Sequence, residues 1–243
     1  RLGSCFMPEP ATALVFRDLA ETGRSLVADL EACGARFLFG AELLEFLRTD
    51  EAAGTPVLGG LFATAAGEIL AVRAGAVVAA GGGPCALFGL NVAGPGGDGA
   101  FAATLVRAGA QIVNPGFCQF KWHELPGMKF FDFARLGCPG AAVIGPDGRA
   151  REIPQNLKDL VADRLRHCPV AYGLPDAALD LYLVGNLHRK GWAEIVASDG
   201  QRLRIALFAH AANAGVRIDA DGRTGSPGLF AAGECASGMH GAN

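Results

Sequence analysis

The chain has 243 residues with 21 Lys+Arg against 24 Asp+Glu, a formal net charge of −3, and 51% hydrophobic residues. Such a composition is globular rather than disordered, and 35 Gly with 13 Pro are too few and too aperiodic for collagen or low complexity. The near-neutral balance, without any Lys/Arg run, speaks against a nucleic-acid surface.

In chain order, apolar residues at Leu14, Val15, Leu19, Leu26 and Leu30 predict a helix over 14–33, stopped by Gly34. Arg36–Phe39 reads as a short strand after it. Val57–Thr64 and Ile69–Val78, joined by Ala65-Ala66-Gly67-Glu68, read as a hairpin. The second run continues through Ala79-Ala80 into Gly81-Gly82-Gly83-Pro84, the pattern of a buried parallel strand with a ligand at its carboxyl end. Ala74–Gly97 is uncharged and long enough to cross a bilayer, but its many Gly and its Pro make it a strand followed by a loop. No direct membrane span and no signal peptide are expected.

Asp98 opens an amphipathic helix to Ala108, stopped by Gly109, and Gln111–Asn114 is another strand. From Phe120 to Arg204 the pattern is mixed and loop-rich, with a helix over Leu157–Leu165. Beyond Ala206 β character returns, through Val216–Asp219 and a turn at Asp221-Gly222 to Gly228–Ala232, which again ends in Gly233-Glu234. Segments of β/α type thus flank an irregular insert.

Seven Cys are scattered without a C-x-x-C pair, against a disulfide framework and for a reducing compartment. Cys118, Cys138 and Cys235 flank the glycine-rich ends and read as packing residues. No His/Cys/Asp/Glu cluster has metal-ligand spacing. His167 and His188 read as solvated positions, and Phe130-Phe131 with Phe133 as packing.

The two strand ends, Val77–Gly83 and Gly228–Glu234, carry the chemistry: residues without bulky side chains let a ligand lie against backbone amides, and a terminal Glu accepts from sugar-type hydroxyls. Either alone reads equally as a tight turn after a buried strand. Gly97-Asp98-Gly99 opens a helix beside them, where Asp98 also serves as an ordinary cap.

Gly81-Gly82, Asn91, Gly97-Asp98-Gly99, Ala108-Gly109-Ala110, Gln119-Phe120, Ala209-His210, Gly222-Arg223-Thr224, Pro227–Glu234 and His240-Gly241-Ala242-Asn243 follow in one order. In this the chain resembles the flavoprotein subunit family of succinate dehydrogenase, fumarate reductase and L-aspartate oxidase, well over 68–125 and 178–243 and loosely before that. The resemblance implies an α/β fold with an α+β insert: an FAD-binding, Rossmann-like domain (1–125 and 205–243) interrupted by a smaller capping domain (126–204). FAD is the implied cofactor and a small carboxylate the implied substrate. Ala80, Gly81, Gly82, Asn91, Gly97, Asp98, Gly99, Gly233 and Glu234 are implied at the cofactor, and His210 and His240 at the substrate. An iron–sulfur or electron-transfer partner subunit is compatible with it, and a cytoplasmic chain that such a partner could hold at a membrane.

The sequence departs from the family on the substrate side. Lys121-Trp122-His123 stands where the family has His-Pro-Thr, Gly137-Cys138-Pro139-Gly140 where it has Arg-Gly-Glu-Gly, and Tyr182 at a third basic position. Hydride transfer beside two carboxylates needs cations and a proton carrier. Lys121, His123 and Arg135 are the replacements at hand, with His210. Three readings follow: an FAD-dependent oxidoreductase acting on a substrate other than plain succinate or fumarate, a non-catalytic or electron-relay flavin-binding subunit, or a relic without flavin. Arg1 in place of Met, the end at Asn243 and the missing G-x-G-x-x-G suggest the middle of a longer flavoprotein, which alone should hold FAD poorly.

Overall fold

The computed structural model describes residues 18–52, 54–94, 96–197 and 199–238, with the backbone of 2–4 and 14–16. Two compact units divide the chain: residues 1–42 with 63–68, and residues 43–62 with 69–243.

In the first unit, β1 (Leu2–Ser4) pairs antiparallel with β2 (Leu14–Phe16), and α1 (Leu19–Ala32) follows. The helix expected from residue 14 begins only at Leu19, because Asp18 caps it, its carboxylate accepting from Glu21 N at 2.8 Å. Residues 36–39 form no strand. They precede β3 (Ala41–Arg48), which sequence periodicity did not reveal.

β4 (Val57–Thr64) and β5 (Ile69–Arg73) form the expected hairpin and complete a sheet of order β3-β4-β5. The second run breaks after Arg73, and β6 (Val77–Ala79) leaves that sheet. The helix from Asp98 is α2 (Ala100–Arg107), and the strand after it is β7 (Ile112–Val113).

From Cys118 the second unit builds an antiparallel sheet from β8 (Cys118–Leu125), β9 (Lys129–Phe130), β10 (Ala142–Ile144), β11 (Ala150–Glu152), β12 (Trp192–Val196) and β13 (Arg202–Ala212), in the order β11-β10-β12-β13-β8-β9. The sequence showed only a loop-rich stretch here. Both faces of its central strands are packed, Trp122 and His123 being buried alike and so Ile205 and Ala206, which blurs the period-2 signal. The helix over 157–165 is instead two single turns, α3 (Gln155–Lys158) and α4 (Val161–Arg164). With α5 (Ala177–Gly185) they cover the face carrying Trp122, Val143, Ile195 and Ile205, where Leu179 and Leu183 are fully buried.

Within that core Arg164 Nε donates to Asp180 Oδ2 at 2.9 Å, Trp122 Nε1 donates to Asp180 Oδ1 at 2.8 Å, and Arg164 also reaches the His167 and Cys168 carbonyls. A charge pair this deep is tolerable only because nearly every donor has an acceptor. His167 is not merely solvated: its Nε2 lies 2.6 Å from buried Asp176.

The chain returns through β14 (Gly215–Val216), antiparallel to β7, and β15 (Leu229–Ala231), parallel to β6. Val77 pairs with Leu229 and Ala79 with Ala231, so the two glycine-ended strands finish side by side. Gly228 permits this: its φ is +78° and a Cβ there would lie 2.5 Å from Val57 O.

Candidate functional site

The parallel pair aims both Gly-rich ends, 80–83 and 232–234, the same way, with Ala232 N donating to Ala79 O at 2.9 Å. Beyond them lies a cavity of about 200 Å³ lined by Gly81, Gly82, Gly83, Gly99, Gly215 and Glu234 among others. A neighbouring hollow of about 500 Å³ shares Gly81 and Phe101 with it and reaches Ala80. The glycines are needed for the shape. A Cβ on Gly81 would collide with the Phe101 ring, one on Gly83 would come within 2.5 Å of the Glu234 carboxyl, and one on Gly215 within 2.6 Å of Cys235 O.

Glu234 is held in place, its Oε1 accepting from Ala212 N at 2.7 Å. Asp98 Oδ1 accepts from Ala100 N at 3.0 Å at the start of α2. Asn91 donates to Phe88 O at 2.7 Å and accepts from Ala93 N at 3.1 Å. Both side chains therefore shape the backbone around the groove. Gly97 packs tightly, a Cβ there falling 3.0 Å from Gly83 O, while Gly233 has the left-handed φ of +70° that turns the chain after β15.

The groove fits a large polycyclic cofactor on two grounds. Its floor is bare backbone at the carboxyl ends of parallel strands, where dinucleotides lie in α/β folds. Nearby, where β8 and β13 begin and end, Gln119 Nε2 and Asn213 Oδ1 are buried without a protein partner. Each such atom costs about 1–3 kcal/mol unless something meets it.

A second cluster stands on the other face of the six-stranded sheet. Alternation along β8 turns Trp122 into the core and Lys121 and His123 away from it. On β13 the register passes from Ala209 opposite Phe120 to Ala211 opposite Gln119, leaving His210 as the extra residue of a bulge. Lys121 Nζ lies 3.3 Å from His210 Nε2, with the ammonium as donor. Phe130 lies beneath both, 5.3 Å from Lys121 Nζ and stacked on the His210 ring at 5.7 Å. His123 sits between Phe130 and Phe208, each ring 4.8 Å away, with Nδ1 3.0 Å from Lys121 O. It is only 1% exposed, and burial lowers its pKa, so its ring is neutral near pH 7.

Ala212, which holds Glu234, is two residues beyond His210, about 7 Å along the strand. The cationic cluster and the glycine groove are thus adjacent. Lys121, His123 and His210 come together on this face. Arg135 does not join them: its guanidinium donates to Gln201 at 2.6 Å, before the first residue of β13 and about 30 Å of strand from His210. The loop around Arg135 packs through Phe133 and Leu136, which fixes its register and keeps the arginine at that distant end. His240 lies outside the described residues.

Several residues here carry no signal in the sequence. Phe130 faces the cations while Phe131 and Phe133 enter the core. Phe208 belongs to no motif, and Cys85 meets Cys118 only through the fold. Alternation along a strand of mixed composition was the one available signal for the first.

Residues 195–243 match the family model described as FAD binding domain. The chain is 31% identical to L-aspartate oxidase of Streptomyces coelicolor, over 92% of this chain and 43% of that protein. It therefore spans less than half the length of this curated relative. Among solved structures it resembles the Sdh1 complex of Mycobacterium smegmatis, with a TM-score of 0.59 at 22% identity over 84% of this chain and 36% of that one. It also resembles the quinol fumarate reductase of E. coli, with a TM-score of 0.55 at 21% identity over 84% and 40%.

Proposed function

We infer that this chain belongs to the FAD-dependent flavoprotein family of succinate dehydrogenase, fumarate reductase and L-aspartate oxidase. We propose that the protein transfers hydride between its flavin and a carboxylate-bearing substrate other than plain succinate or fumarate. In this reading the glycine groove belongs to a Rossmann-like FAD-binding domain (1–125 and 205–243), and residues 126–204 form the capping domain.

The observation that carries the reading is the pairing of Lys121 with His210, two residues along β13 from the Ala212 amide that holds Glu234. FAD bound along Ala80–Gly83, Gly97–Gly99 and Gly233-Glu234 would supply a two-electron hydride acceptor or donor. The Lys121 ammonium, which donates to His210 Nε2, presents the positive charge that a substrate carboxylate needs, over a ring that excludes water from one side. His123, neutral and walled by Phe130 and Phe208, is suited to accept or return a proton rather than to bind an anion.

His210→Ala should lower turnover by about 10²-fold while bound FAD is retained, as for loss of one group that stabilises developing charge. Substrate-dependent bleaching of the flavin absorbance reads the first, and the absorbance itself the second. Loss of FAD from the variant would make His210 structural and refute its substrate role.

A second reading, an electron-relay subunit that binds FAD without dicarboxylate chemistry, is favoured by one observation: Arg135, the nearest replacement for the family's arginine, is engaged with Gln201 instead. Flavin that no carboxylate bleaches but an electron-transfer partner reduces would support it. An iron–sulfur or other electron-transfer subunit is the partner this reading requires and the first one allows. No helix among the described residues is long and apolar enough to cross a membrane.

A further inference from the structure

Behind Glu234, two cysteines far apart in sequence face each other. Cys85 lies in a single helical turn, Cys85–Leu87, immediately after the glycine-rich strand end, and Cys118 is the first residue of β8. Their sulfurs are 3.8 Å apart, packed among Ala93, Ala209, Ala212 and Phe120. The two are not equivalent. Cys85 is 2% exposed. Cys118 lines an apolar groove of about 290 Å³ with Phe120, Tyr172, Leu181 and Val184. Cys85 Sγ also lies 3.9 Å from Glu234 Oε1.

We propose that Cys85 and Cys118 are a reversible, peroxide-responsive dithiol, with Cys118 the sulfur that meets the oxidant and Cys85 the sulfur that resolves it. A disulfide needs the sulfurs about 1.8 Å closer than they are. The groove admits a small neutral oxidant of the hydroperoxide class to Cys118, and its apolar lining discriminates against charged ones.

Cys118 Sγ attacks one peroxide oxygen as the O–O bond breaks; the departing hydroxide takes the thiol proton and leaves as water, and Cys118 becomes a sulfenic acid. The Cys85 sulfur then attacks Cys118 Sγ. An S–S bond forms, the S–O bond breaks, and the departing hydroxide takes the Cys85 proton and leaves as a second water. Two thiols and one peroxide thus yield a disulfide and two waters, each sulfur losing one electron and the peroxide gaining two. Glu234 Oε1 is the carboxylate that faces the Cys85 proton as it departs. Burial raises both thiols, Cys85 to about 12, so Cys85 stays protonated until an electrophilic partner appears beside it. A small dithiol reductant reverses the bond.

The consequence lies at the cofactor groove. Turning Cys85 toward Cys118 removes its contact with Glu234 and pulls on the segment that follows Gly83-Pro84, both of which line that cavity. The dithiol itself does not depend on the flavin reading.

The test is a hydrogen peroxide titration of the purified full-length protein, followed by alkylation, digestion and peptide mapping. The expected result is a Cys85–Cys118 linked peptide that dithiothreitol cleaves. Cys85→Ser should leave Cys118 as a sulfenic acid trapped by dimedone, and Cys118→Ser should leave Cys85 a free thiol. The proposal is overturned if both sulfurs still alkylate at peroxide levels that oxidise the exposed Cys33, or if Cys85 oxidises without Cys118. Should a serine variant fail to fold, the wild-type peptide map decides alone.

Discussion

His123 shows how one side chain can be placed by its neighbours' requirements rather than its own. Phe130 and Phe208 exclude water from it, and with 1% of its surface exposed it resists protonation in the folded chain. The unfolded chain takes up that proton near the usual value of about 6.5. Below that pH the unfolded state therefore binds more protons than the folded one, so stability contributed by His123 is present above about 6.5 and is lost as the pH falls toward its lowered folded value. His123→Phe should flatten the fall in urea midpoint between about pH 7.5 and about pH 5, each tenfold difference in proton affinity between the unfolded and folded chains being worth about 1.4 kcal/mol. The measurement is the difference between variant and wild type, since other groups titrate in both. A variant whose midpoint falls as steeply as wild type would mean that the ring protonates freely in the fold. Residue types at this site were legible as chemistry, Lys121, His123 and His210 being cations or proton carriers, but their aromatic floor was not. Phe130 and Phe208 sit in different strands, and only the pairing of β8 with β9 and β13 unites them.

At the scale of elements, the glycine-ended strands were readable as strands from apolar runs that end in glycine, but among the described residues β6 and β15 form a sheet of two rather than central strands, and Val78 is 63% exposed. Their pairing with each other, across 152 residues from Val77 to Leu229, was not readable, since no local pattern encodes a partner that distant. Nor was the antiparallel sheet from β8 to β13, whose two packed faces hide the alternation that marks a half-exposed strand. Gly228 supports the pairing directly, its carbonyl accepting from Val77 N at 2.9 Å out of a left-handed turn. Gly228→Ala strains φ and drives Cβ against Val57 O, so it should cost about 1–3 kcal/mol. A loss in thermal midpoint would register it. An unchanged midpoint would show that the turn relaxes and that the parallel pair does not depend on this glycine.

For the molecule as a whole, the groove joins what the sequence separates. Residues 80–83 and 232–234 meet only through β6 and β15, and Glu234 is tied in turn to the end of β13, two residues from His210. A ligand seated on this groove should therefore stabilise the fold as a unit, by RT ln(1 + [L]/Kd), about 2.7 kcal/mol at a hundredfold excess over Kd. In the full-length protein, adding FAD should raise the thermal midpoint, and Glu234→Ala should shrink that rise. The comparison must be of rises, not midpoints. Removing the carboxylate also strips Ala212 N of its acceptor and lowers the starting stability whether or not FAD is present. A rise equal to that of wild type would leave Glu234 a strand tether and refute its place at the cofactor. A reduced rise, with the spectrum of bound flavin intact, would place the carboxylate on the ligand as well as on the backbone.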